Sequence, residues 1–348
     1  MSEMTTHERP GVYSAYQASA LTAAVSGGGA VCVVANAGSH KGIGPYTWTS
    51  YSRAVSAVGQ CALSELARLA LKNGAGAVIG IPAGENYTAA FAVAAKLDEV
   101  AVVVCDSTDL TVQQALRDMV EECSAARKER IAVVAGAANE SVEQLIARAA
   151  GLNHERMVLV APGDVTAAGA AADGTACAAA VAGAIAGNTD PALPLSGAVL
   201  SGLNGLSAVY EDGDIDLLVR GGVTPLEMLS GSGSVVRAVT TRTTTGGAAD
   251  ATWRELTTIL VVDEVIPAIR TALRTKFQRV KNTEQTRGAI RSQVVLELEK
   301  RIGQEIIDSY EDVTVTALEN DPTVCLVEFA FAVTHGLNQI WLSAHITV

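Results

Sequence analysis

The sequence predicts an α/β protein, with a doubly wound parallel-sheet core followed by a smaller α+β block. Three observations carry this. Five short runs that are apolar throughout alternate with helix-period segments between Ala30 and Gly187, the pattern of strands buried on both faces of a parallel sheet. Two long amphipathic segments fill 250–308. After Tyr310 apolar and polar residues alternate, with interruptions, as far as Val348, at the period of half-buried strands.

The elements follow in order. Residues 1–20 hold a polar lead and then Arg9-Pro10-Gly11-Val12-Tyr13-Ser14-Ala15-Tyr16, where a Pro-Gly turn feeds a short β-prone run. An extended arm and an ordinary frayed terminus both satisfy this pattern. Across 21–190, strands are expected at Ala30 to Val34, Ala77 to Ile81, Val100 to Cys105, Ile131 to Ala135 and Met157 to Ala161. Helices are expected near 51–73, 87–97, 108–128, 140–151 and 166–186. Residues 191–249 are richer in Gly, Pro, Ser and Thr and read as a connecting segment, with short strands at Asp216 to Val219 and Val235 to Thr240. Residues 250–337 form the α+β block, with helices from Asp250 to Lys281, kinked at Pro267, and from Glu284 to Asp308.

The alternating end begins at Val313 to Leu318. From Val324 to Val333 the inward set is Cys325, Val327, Phe329, Phe331 and Val333. From Gln339 it is Ile340, Leu342, Ala344, Ile346 and Val348. Thr334 to Asn338 can close a hairpin between these last two runs. The alternative is that 338–348 is a separate arm. After Leu337 there is no Lys, Arg, Asp, Glu or Pro, so the last strand lacks the residues that usually protect a sheet edge. Such a strand is either buried in its own sheet or donated to a neighbour's.

Composition narrows the function classes. With 348 residues, 49% hydrophobic and 18% charged, the chain can bury large cores. Its low aromatic fraction of 4% implies cores of close-packed small side chains. A formal net charge of -12 argues against a general nucleic-acid surface, which draws its affinity from clustered Lys and Arg. The exception is local: Arg270, Arg274, Lys276, Arg279, Lys281, Arg287 and Arg291 face one acid, Glu284, between Ile266 and Arg291. That face is either solvated or meets an acidic partner. Six cysteines without a C-x-x-C pair favour folding in a reducing compartment. Neither a signal peptide nor a run able to insert in a membrane is evident.

A doubly wound sheet invites an enzyme hypothesis. Gly38-Ser39-His40-Lys41-Gly42-Ile43-Gly44 follows a strand but contains neither G-x-x-x-x-G-K-[ST] nor G-x-G-x-x-G, so a nucleotide site at 38–44 competes with a plain surface loop. Gly231-Ser232-Gly233-Ser234 does not make a nucleophile elbow. The five histidines show no metal-ligand spacing. Asp106 to Asp109 follow a strand, where Ser107 or Thr108 is expected to cap the next helix. No catalytic residue, metal ligand or cofactor is expected.

Several segments together resemble the contractile tail sheath proteins of phage tails and R-type bacteriocins. They are Arg9-Pro10-Gly11-Val12-Tyr13, Pro194-Leu195-Ser196-Gly197 with Leu200-Ser201-Gly202-Leu203, Gly221-Gly222-Val223-Thr224-Pro225-Leu226-Glu227, Val236 to Thr244, and Asp250-Ala251-Thr252-Trp253-Arg254. The resemblance implies a subtilisin-like α/β domain without catalysis and a sheath domain flanked by exchanged arms. It implies that Val12, Tyr13, Tyr16, Ile340, Trp341, Leu342 and Ile346 lie on inter-subunit strands. It also implies hexameric rings around an inner tail tube protein, an electrostatic tube contact for which the basic residues above are candidates, and baseplate and terminator proteins as further partners. At 348 residues the chain resembles a minimal version, without the extra outer domains of larger phage sheaths. Assembly is expected in the cytoplasm of the producing bacterium, before incorporation in a virion tail or released particle.

Overall fold

A computed structural model describes residues 29–40, 42, 44–84, 86–338 and 342–343. The chain opens with β1 (Ala30–Ala35), β2 (Tyr46–Trp48), α1 (Tyr51–Val58), α2 (Ala62–Lys72), β3 (Ala77–Pro82) and α3 (Tyr87–Ala94). It continues through β4 (Val100–Cys105), α4 (Leu110–Ala125), β5 (Ile131–Ala135), α5 (Val142–Leu152), β6 (Met157–Ala161) and α6 (Thr175–Gly187). Next come β7 (Val199–Leu200), α7 (Asp212–Arg220), β8 (Val223–Leu229), β9 (Ser232–Val235), β10 (Thr244–Thr245) and β11 (Ala248–Ala249). Two long helices, α8 (Leu256–Lys276) and α9 (Glu284–Gly303), precede β12 (Ile307–Tyr310), β13 (Thr314–Leu318), β14 (Asp321–Glu328) and β15 (Phe331–Val333).

The first nine strands form one sheet in the order β2-β3-β1-β4-β5-β6-β8-β9-β7. The six from β3 to β8 run parallel to their neighbours, and β2, β9 and β7 add antiparallel margins. This is the doubly wound α/β core expected from the sequence. The five apolar runs became strands because each is buried almost throughout, with α1, α2 and α6 on one face and α3, α4 and α5 on the other. The Ala-rich composition matters where α6 meets α2: a Cβ on Gly183 would lie 2.3 Å from the Ala70 carbonyl oxygen, so these two helices touch backbone to backbone.

Several elements differ from expectation. The 51–73 helix is two helices, broken at Gly59 (φ 77°). The Ala-rich helix starts only at Thr175, where Gly174 is the N-cap and Asp173 Oδ1 accepts from both the Thr175 N–H and hydroxyl. Asp109, rather than Ser107 or Thr108, caps α4 by accepting from the Thr111 N–H. Asp216 to Val219 are helical: acids Asp212 and Asp214 occupy the first turn of α7, where the helix dipole favours them, and this outweighs the β-prone Ile215, Leu217 and Val219. The strand expected at 235–240 sits earlier, at β9. Asp250 caps a turn through the Thr252 N–H rather than starting α8. The second long helix ends at Gly303, and Ile307 already belongs to a strand.

The C-terminal block has its own core, built from Val261, Val265 and Ile269 of α8, Val294 and Leu298 of α9, and Ile306, Ile307 and Val313. Its strands make two separate two-stranded sheets, β12–β15 and β13–β14. The run from Val324 to Val333 is therefore two strands in different sheets. Between them the Ala330 carbonyl accepts from the Glu311 N–H, handing the chain from one partner strand to another. The alternation survives this handover, so Val327, Phe329, Phe331 and Val333 all face the third core.

Candidate functional site

Three regions bear on function: the C-terminal strands, the α8–α9 pair and the carboxyl edge of the large sheet. In the first, β15 pairs antiparallel with β12 (Ile307 opposite Val333, Tyr310 opposite Phe331) and β14 with β13 (Val315 opposite Val327). Among the described residues no third strand joins either pair, and a two-stranded sheet has little stability of its own. One face rests on the third core. The other leaves Leu318, Val324 and Leu326 each about two-fifths exposed beside open backbone edges. Leu342 stands almost fully exposed at 92%. The other arm positions, Val12, Tyr13, Tyr16, Ile340, Trp341 and Ile346, lie outside the described residues.

The seven basic candidates separate by surroundings. Arg270 is taken by Glu129 of the α/β core at 2.7 Å, which removes its charge from the open surface. Arg291 lies 3.8 Å from Asp312, Lys276 donates to Gln293 and Arg287 donates to Asn282. Arg274, Arg279 and Lys281 are exposed and in no ion pair among the described residues. The net positive surface thus concentrates at the end of α8 and the turn into α9.

At the carboxyl edge, β1 lies between β3 and β4, the switch point where a doubly wound sheet binds ligands when it does so. Asp106 is committed there: it accepts from Tyr87 Oη at 2.6 Å and from the Asn36 N–H at 2.7 Å. Burial and this carboxylate push the Tyr87 phenol well above its ordinary value. The 38–44 loop beside it is closed by a contact between His40 Nε2 and Tyr46 Oη at 2.9 Å; Lys41 and Ile43 lie outside the described residues. Cys32, Cys105 and Cys177 are buried, and burial raises their thiols, the first two to about 12. Among the described residues no acid, His and Cys group could hold a metal ion, and no helix is long and apolar enough to cross a membrane.

One polar cluster escapes sequence reading. Arg156 at the start of β6 donates two hydrogen bonds, 2.6 and 2.8 Å, to Asp263 of α8. Glu129–Arg270 lies on the same side, and Arg301 of α9 reaches Glu264 at 2.9 Å. Helix α8 itself joins two cores, with Leu256 and Ile259 in the one on the α1, α2 and α6 face of the sheet and Val261, Val265 and Ile269 in that of the C-terminal block. The partners of the central pair are 107 residues apart, with no local spacing to betray them.

The comparisons with known proteins agree on one family. The model for the phage tail sheath protein central domain matches residues 80–241, and that for the phage tail sheath C-terminal domain matches 248–347. No curated protein matches the sequence. Among solved structures, the sheath tail protein from Desulfitobacterium hafniense is similar with a TM-score of 0.70 at 13% identity, over 93% of this chain and all of that one. The contracted helical sheath of the anti-feeding prophage gives 0.71 at 16% identity, over 98% of this chain and 99% of that one. The contracted sheath of the extracellular contractile injection system PVC gives 0.68 at 17%, over 99% of both chains.

Proposed function

The chain belongs to the phage tail sheath family, and we propose that it is the repeating subunit of a contractile sheath that stacks as hexameric rings around an inner tube. The observation that carries the detailed reading is the pair of two-stranded C-terminal sheets with apolar, open edges. Strands from neighbouring copies complete them. The donors are the β-prone 9–16 segment and the unprotected 338–348 segment, whose main-chain hydrogen bonds give a joint that tolerates rigid-body rearrangement. Domain limits follow the same reading: 1–20 and 338–348 as arms, 21–190 as the α/β body, 191–249 as connection and 250–337 as the sheath domain.

Contraction drives the tube through a target envelope. It needs no nucleotide if the extended lattice is assembled in a metastable state. Arg274, Arg279 and Lys281 are the best-placed residues for an acidic tube surface, with Lys276, Arg287 and Arg291 beside them. Each such contact is weak and screened by salt, so the sheath can slide. Baseplate and terminator proteins cap the polymer at its ends, and assembly takes place in the cytoplasm of the producing cell. The chain acts without catalysis: the carboxylate at the sheet's switch point is already spent on Tyr87 and Asn36. Deleting 1–16 or 338–348 and imaging the purified protein tests the arms. Both deletions should yield folded subunits without tubular lattices, and normal lattices from either would refute strand exchange.

A further inference from the structure

Beside the β10–β11 hairpin lies a depression of about 210 Å³ bounded by Arg220, Arg242 and Arg254. The acids nearby are already engaged. Glu155 accepts from Arg242 at 3.1 Å, and Asp250 accepts from the Thr245 hydroxyl and the Thr252 N–H. Glu255, 3.9 Å from Arg254, is held by Arg237. Arg254 Nε is buried 3.9 Å from Glu255, and the one-third-exposed Arg254 side chain donates no hydrogen bond among the described residues. Among the described residues Arg220 meets only Asp216, at 3.4 Å, with both side chains about 70% exposed. Two guanidiniums with unused donors therefore share one depression, and such forks match carboxylates in geometry as well as charge.

The complementary surface lies at the other end of the helix that carries Arg220. Glu211 and Asp212 are exposed at the start of α7, and neither is in an ion pair among the described residues. They are flanked by exposed Val209 and Leu217. Nine residues of helix separate the two ends by roughly 12 Å at 1.5 Å per residue, beyond the reach of a side chain within one copy. The hairpin, turned by Gly246 (φ 58°) and Gly247 (φ 84°), exposes Ala248 and Ala249 beside the depression, a small apolar shelf for Val209 and Leu217.

We propose that the arginine depression receives the acidic opening turn of α7 from a second copy of this chain. The contact joins different patches on the two copies, and such a heterologous interface, repeated, generates a ring where the rotation closes and a helical filament where it does not. It rests on the polymer reading above.

A charge-exchange experiment on the full chain tests it. One variant carries Arg220→Glu with Arg254→Glu, and the other Glu211→Lys with Asp212→Lys; circular dichroism establishes that both are folded. Assembly is read by sedimentation and negative-stain imaging. Each variant alone should lose pelletable polymer, because like charges then meet. An equimolar mixture should recover it, because each altered end now faces its opposite. Polymer from either variant alone at the wild-type yield, or a mixture that stays soluble while wild type forms tubes, would overturn the contact. Wild-type protein that forms no polymer would contradict the sheath reading itself, and this contact with it.

Discussion

Arg156 and Asp263 form a nearly buried, two-bonded pair that ties the α/β sheet to α8. Burial raises the Asp263 carboxyl, and Arg156 pulls it back down. Arg156→Met should cost roughly 3–5 kcal/mol, because it strands a buried carboxyl. Arg156→Met with Asp263→Leu should recover much of that loss, since an apolar pair needs no charge partner; thermal unfolding of the three proteins checks both. His154 sits two residues away, its Nδ1 accepting from the Arg156 N–H. Burial lowers its pKa below the ordinary 6.5. Glu155 and Glu121 act against the shift, and Arg156 and Arg242 reinforce it. Between that lowered folded value and 6.5 the unfolded chain binds the extra proton. Stability therefore rises with pH across this window and is complete above 6.5. His154→Asn should flatten that slope in unfolding free energies measured on both sides of pH 6.5. None of this is visible in sequence, where an Arg, an Asp and a His scattered over 110 positions carry no pattern.

At the scale of elements, periodicity was legible wherever burial is uniform. The strands β4, β5 and β6 are residue for residue the apolar runs of the sequence, since nothing competes with their burial on both faces. Legibility failed where one capping side chain decides. Asp109 rather than its hydroxyl neighbours caps α4, and α6 starts nine residues later than its Ala-rich composition suggests, after Asp173 has bound the Thr175 N–H and hydroxyl. In the terminal strands the inward register was readable, but not which strand pairs with which, because alternation fixes a face and leaves the partner free. The α2–α6 contact gives an element-scale prediction. A methyl group at Gly183 meets the Ala70 backbone at 2.3 Å, and neither helix can yield within a sheet-backed layer. Gly183→Ala should destabilise by about 1–3 kcal/mol despite its better helix propensity, measurable as a lower denaturant midpoint. Gly213→Ala, in the exposed first turn of α7 with nothing within 4 Å, should not.

The described residues form an α/β body joined through α8 to a small α+β block whose strands offer open edges. The chain's overall acidity and its localised basic turn pull in opposite directions. Replacing Arg274, Arg279 and Lys281 with Gln should weaken co-sedimentation with the inner tube at low salt while leaving sheath-to-sheath assembly intact. The difference from wild type should shrink as ionic strength rises and the Debye length falls to a few Å. The family was readable from short fragments spread along the sequence, whereas the unprotected strand expected after Leu337 lies, apart from Asn338, Leu342 and Ser343, outside the described residues. Which basic residues stay unpaired was not readable, because Glu129 reaches Arg270 only in the folded chain. The most direct test of the account is electron microscopy of the purified full-length chain. It should show tubular lattices of stacked sixfold rings, with strands from neighbouring copies completing β12–β15 and β13–β14. A soluble monomer or closed dimer at all concentrations, or a lattice in which both two-stranded sheets keep their edges free, would contradict it.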